Sequence, residues 1–119
     1  MKPPIIINEN GSLSFFKSVA DAERYLEPID VRNQEYVAYD SDGCRLELRV
    51  EEEVVAGLLG LGKTRRERVC IIQAEEVPAH AEELKNILRA SLQEIGSSQE
   101  SLHSLQEFVA ASTQRMGFS

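Results

Sequence analysis

Residues 35–50 read EYVAYDSDGCRLELRV, and their pattern decides the fold. From Cys44 onward, Cys44, Leu46, Leu48 and Val50 alternate with Arg45, Glu47, Arg49 and Glu51. A side-chain period of two belongs to a strand with one face on a core and the other in water, the usual state of an antiparallel sheet. The EYVAYD run before it reads as the partner strand. Ser41-Asp42-Gly43 between them is turn chemistry, since aspartate and glycine accept the backbone angles of a tight reversal.

Upstream, the apolar runs Ile5–Ile7 and Leu13–Phe16 flank NENGS, and Asn10-Gly11 signals a hairpin because its turn needs positive φ. Ser18 with Asp21 forms a capping box for a short helix whose apolar side is Val19, Ala22, Tyr25 and Leu26. Pro28 ends it, because the residue before a proline avoids the helical region. Downstream, EEEVVAGLLGLGKTRRER is less regular, and a strand follows over Val69–Gln73. Pro78 suits the first turn of a helix carrying Leu84, Ile87, Leu88, Leu92 and Ile95 inward until Gly96. Ser97 with Glu100 then predicts the start of a last helix, with Leu102, Leu105, Phe108 and Val109 inward.

These elements predict one α+β domain over residues 1–119. Its sheet is single and antiparallel, of about five strands. A short helix follows the first hairpin, and a C-terminal helical hairpin packs on one face.

Composition sets the chemistry. The chain has 119 residues, 42% hydrophobic and 28% charged, enough for one core. Net charge is −7, from 20 acidic and 13 basic residues. That field disfavours nucleic acid and anionic membrane and attracts a basic partner, although it also serves solubility alone. No apolar run has the length of a membrane span and no signal-peptide pattern is present, so a cytoplasmic protein is expected. Cys44 and Cys70 read as small buried hydrophobes rather than a disulfide or metal pair. His80 and His103 have no ligand at metal spacing, and no metal or cofactor is expected.

Residues 57–64, GLLGLGKT, fit the phosphate-loop pattern letter for letter, with Gly57, Gly62, Lys63 and Thr64 in the required places. The chemistry needs backbone amides around the phosphates, between a parallel strand and a helix N-terminus. Here the surrounding strands read as antiparallel, and VCIIQ ends in Gln73 where the metal-holding aspartate belongs. Nucleotide binding therefore stands as an alternative. Leu58, Leu59 and Leu61 read either as a loop docking on a partner or second subunit, or as a long connection closing the core edge. The latter is favoured. The basic run Lys63, Arg65, Arg66, Arg68 is expected to pair with Glu51–Glu53.

No nucleophile–base pair emerges, so no enzyme is expected. The serines at 97, 98, 101 and 104 are explained by capping. Glu27, Asp30, Glu35, Asp40 and Asp42, with Tyr36 and Tyr39, are expected to form one acidic, aromatic-bearing sheet edge. Such a surface fits a cationic cleft, with aromatic rings giving burial and carboxylates mimicking phosphates.

Leu26-Glu27-Pro28-Ile29-Asp30-Val31, Glu35-Tyr36 and Tyr39-Asp40-Ser41-Asp42-Gly43, within about the first 50 residues, carry a resemblance. The segment is similar to immunity proteins of contact-dependent growth inhibition systems of bacteria. The resemblance implies a cytosolic, non-enzymatic inhibitor that binds one cognate toxin domain, often a nuclease, and blocks its active site. It assigns no residue roles. A structural adaptor or oligomerisation module is the remaining alternative.

Overall fold

The computed structural model describes residues 1–57 and 62–119. Leu58, Leu59 and Leu61, read above as a docking or core-closing loop, lie outside the described residues. Five strands, β1 (Ile5–Glu9), β2 (Ser12–Phe16), β3 (Tyr36–Tyr39), β4 (Arg45–Ala56) and β5 (Lys63–Gln73), form one antiparallel sheet in the order β2-β1-β3-β4-β5. The helices are α1 (Val19–Tyr25), α2 (Pro28–Arg32), α3 (Ala81–Glu94) and α4 (Leu105–Met116). The α+β architecture is as expected.

Both faces of the sheet are covered near β1. On one, Ile5, Ile7, Phe16, Ala38, Leu46, Val69 and Ile71 meet Ala22 and Leu26 from α1 and its C-cap. On the other, Ile6, Phe15 and Tyr39 meet Leu84, Leu88 and Leu92 of α3 and Leu105, Phe108 and Val109 of α4. The C-terminal helices therefore share one face, and the short helices occupy the opposite one. That explains the unbroken Ile5-Ile6-Ile7 run. An interior strand with two buried faces has no reason to alternate.

Several boundaries differ from those expected. Pro28 does close off α1, but it also opens α2 at the N1 position, with Glu27 as the extended N-cap. Pro78 precedes α3 instead of lying in its first turn, which begins at Ala81. At the other end of α3, Gly96 at φ 74° lets its own N–H reach the Gln93 carbonyl and that of Ser97 reach Leu92. This is the paired reversal that satisfies helix-end carbonyls. The last helix then opens at Ser104–Glu107, where both halves of the capping box form, and not at Ser97–Glu100. Both serines match the sequence rule; only the second is followed by an inward stripe of Leu105, Phe108, Val109 and Ser112.

The largest correction concerns residues 51–68. The described parts of this stretch are strand: β4 and β5 pair from Leu46↔Gln73 out to Ala56↔Lys63. Its charges conceal it from a periodicity search because Glu51, Glu52, Val54 and all of Lys63–Arg68 are exposed. The expected ion pairs are present, Arg66–Glu53 at 3.0 Å and Arg65–Glu52 and Arg68–Glu51 at 3.7 Å.

The β3–β4 turn is the tightest junction of the fold. Gly43 has φ 90°, and its carbonyl accepts the N–H of His80, which precedes α3. A Cβ at this position would stand 2.4 Å from Ala81 Cα. Gly43→Ala is expected to cost about 2 kcal/mol or more, from left-handed strain plus the clash. Urea unfolding followed by circular dichroism measures it, and a midpoint equal to that of the parent would contradict the assignment.

Candidate functional site

The seven residues expected on one acidic edge separate into two groups at opposite ends of β3, which is a central strand and not an edge. Tyr39, Asp40 and Asp42 form the first group. Tyr39 is 2% exposed, and its hydroxyl donates to Glu83 Oε2 at 2.8 Å. Burial pushes its phenol up, and the bond to Glu83 adds to that. Asp40 is also 2% exposed. Its Oδ1 accepts the N–H of Asp42 and of Cys44, both at 3.0 Å, and Oδ2 accepts that of Lys2 at 3.3 Å. Asp42 is half-buried and pairs with Lys2 at 3.5 Å. Tyr39 and Asp40 thus correct the expected surface: they are interior, because an aspartate before a tight turn finds its acceptors' donors in the turn itself.

The second group does form a surface. Glu27 is exposed, and Asp30, Glu35 and Tyr36 are half-buried around the end of α2 and the start of β3. Strand pairing adds a residue that chain order concealed: Glu9 of β1 stands opposite Tyr36. Carboxylate oxygens of Glu9, Asp30 and Glu35 all lie within 4.8 Å of one another. The Tyr36 hydroxyl donates to Asp30 Oδ2 at 3.2 Å. Burial, with the Asp30 carboxylate beside it, pushes the Tyr36 phenol up to about 12, against an opposing backbone hydrogen bond at Glu27. The hydroxyl is therefore a donor at neutral pH. The hydrogen bond and charge of Asp30 raise the Glu35 carboxyl above its ordinary value, with burial and Glu9 contributing less.

Beside this cluster, Val31, Tyr36, Leu46 and Leu48, together with Gln34 and Arg45, line an open hollow of about 420 Å³ between α2 and the sheet. Clustered carboxylates suit the cationic head of a lysine or arginine, and the apolar side chains beside them can take its stem.

The phosphate-loop residues take a different arrangement from the one their chemistry requires. Lys63 and Thr64 belong to β5, antiparallel to β4, and no helix begins there. The Gly57 N–H donates to the Gly62 carbonyl. Elsewhere, Glu75 organises the approach to α3. Burial alone would raise its carboxyl, but the N–H groups of Arg45 and Ala79, with His80 alongside, hold it below the ordinary range. Cys44 and Cys70 are free thiols, both pushed up first by burial, and so poor nucleophiles.

Set against models of protein families, curated proteins and solved structures, the chain matches none of them.

Two outcomes follow from this geometry. Asp40→Ala removes the acceptor of the buried Cys44 amide and of two others, so a loss of about 2–4 kcal/mol is expected. Asp40→Asn, which keeps one oxygen acceptor, should lose about half as much in the same unfolding assay. Glu35 acts in the opposite sense. An acid whose folded-state pKa is raised binds its proton more tightly when native, so stability falls as pH rises through the window above the ordinary carboxylate value. Glu35→Gln should raise Tm near neutral pH and leave it unchanged well below the carboxylate range. Equal Tm values at neutral pH would rule out the repulsion.

Proposed function

We propose that the protein is a non-enzymatic immunity or inhibitor protein that binds and neutralises a cognate bacterial toxin domain, in the cytoplasm, through an acidic surface. The observation that carries this reading is the Glu9–Asp30–Glu35 cluster beside the hollow bounded by Tyr36, Val31 and Leu48. Glu27 extends the same acidic rim. Three carboxylates held this close repel one another, and a partner's lysine or arginine relieves that repulsion on binding. The net charge of −7 speeds the encounter with a basic domain, and tyrosine at the centre supplies a rigid apolar anchor. A nuclease is the fitting target class, since its substrate cleft is lined with cations that a phosphate-like array of carboxylates can occupy. The resemblance of residues 1–50 to immunity proteins points the same way.

Co-purification with the toxin encoded beside the gene tests the reading, together with protection of cells expressing that toxin. Asp30→Lys and Glu35→Lys should each weaken the complex by about 30-fold or more, as losing one partner of a desolvated charge pair does. Asp42→Lys, at the far end of β3, should leave it nearly unchanged. Failure to bind or to protect against any neighbouring toxin would sink the proposal.

A further inference from the structure

The β4–β5 hairpin carries its own unpartnered surface. β3 pairs with β4 only at Arg45 and Leu46, whereas the β4–β5 ladder continues to Ala56 and Lys63. Twelve residues of β4 span about 40 Å at the usual strand rise. The molecule is correspondingly long, 61 Å by 29 Å by 23 Å. Beyond Leu48 the hairpin is thus a two-stranded arm with an open edge on each side.

The direction of its free groups is fixed by one contact. The Ile71 N–H donates to Glu23 Oε2 at 2.8 Å, so it points away from β4. Alternation puts Val69, Glu67, Arg65 and Lys63 on that same outer edge. Their register partners Val50, Glu52, Val54 and Ala56 face outward on the β4 side. Among the described residues, none of these eight outward N–H groups has an acceptor. Sheet edges of this length are normally shielded. Glu23 shields the root of β5 and Arg32 of α2 pairs with the Glu67 side chain, but among the described residues no group accepts from the arm's outward amides.

The two edges carry opposite charge. Glu51, Glu52 and Glu53 lie on β4; Lys63, Arg65, Arg66 and Arg68 lie on β5 with the single acid Glu67. Their ion pairs within the arm are exposed and worth at most about 1 kcal/mol each, so the side chains remain free to be shared with a further strand.

We propose that these are complementary docking edges, joining copies of this chain head to tail by pairing β5 of one with β4 of the next. Pairing like with like would set carboxylates against carboxylates or arginines against arginines, which is unfavourable for directly opposed residues. Pairing β5 with β4 brings opposite charges together. A register with Arg65 opposite Glu52 of the second copy and Arg66 opposite its Glu51 leaves Glu67 opposite Val50; the one like-charged pair it sets is Arg68 opposite Arg49, and Arg49 is already paired with Glu47 at 3.1 Å. Main-chain hydrogen bonds then supply the affinity, as in other strand additions. Because the contact uses two different edges, each added copy presents a fresh one, and the assembly is open.

Light scattering and sedimentation velocity on the intact chain test this. The expected mass exceeds 13.3 kDa, rises with protein concentration and falls with added salt. Arg65→Pro blocks the β5 edge and Val54→Pro the β4 edge, each at a position whose N–H lies outside the ladder. Each variant alone should be monomeric, and their mixture should stop at a dimer because only one pair of edges remains. A parent protein monomeric at every concentration and salt overturns the proposal. So does association that survives either substitution, or a mixture of the two variants that stays monomeric.

Discussion

The fold depends on a carboxylate that has left water. Asp40 is almost fully buried, and a buried ionisable group is tolerated only when its oxygens are satisfied. They are satisfied by amides from three places in the chain: Asp42, Cys44 and Lys2. Ser41 reinforces the last link, its N–H donating to the Lys2 carbonyl and its hydroxyl to that of Pro3. The first residues are thereby fixed against the β3–β4 turn, immediately before β1 enters the sheet. The same turn offers the Gly43 carbonyl to His80, which sets where α3 begins. One anionic side chain thus positions the start of the chain, the central hairpin and the helix that closes the core.

That arrangement makes the ends of β3 unequal. At the Asp40 end the polar groups of Tyr39 and Asp40 are directed into the protein, so these two have no role left at the surface. At the Tyr36 end the sheet meets α2 with Glu9, Asp30 and Glu35 converging. Stability accounts for the first cluster of acids. It does not account for the second, whose mutual repulsion costs stability, and this contrast is why the proposed binding surface is placed there.

Sequence reading succeeded where a residue's environment is set by its immediate neighbours. Alternation from Cys44 to Val50, Asn10-Gly11 and the leucines of α3 each report a local geometry, and all three elements are present. It failed where the environment is set by distant partners. Glu9 joins the acidic cluster only because β1 pairs with β3, two elements that chain order does not make neighbours. The arm was unreadable as strand because between Glu51 and Arg68 its described side chains are mostly exposed, so the apolar period that marks a strand is missing. The two serine–glutamate boxes near residue 100 show the same limit. Both are well formed as sequence, and tertiary burial of Leu105 and Phe108 selects between them.

Charge separates the two proposed surfaces. Between Val50 and Val69 the described arm carries four basic residues, Lys63, Arg65, Arg66 and Arg68, and four acidic ones, Glu51, Glu52, Glu53 and Glu67. It therefore contributes nothing to the net charge of −7, all of which belongs to the rest of the chain. Long-range attraction of a cationic partner must then originate in the body, where the Glu9–Asp30–Glu35 cluster lies. The arm's own field, with opposite charges a strand apart, decays within a few ångströms and acts only on something already in contact. A partner drawn by the body and a strand added to the arm respond to different ranges of the same force. The two contacts need not compete.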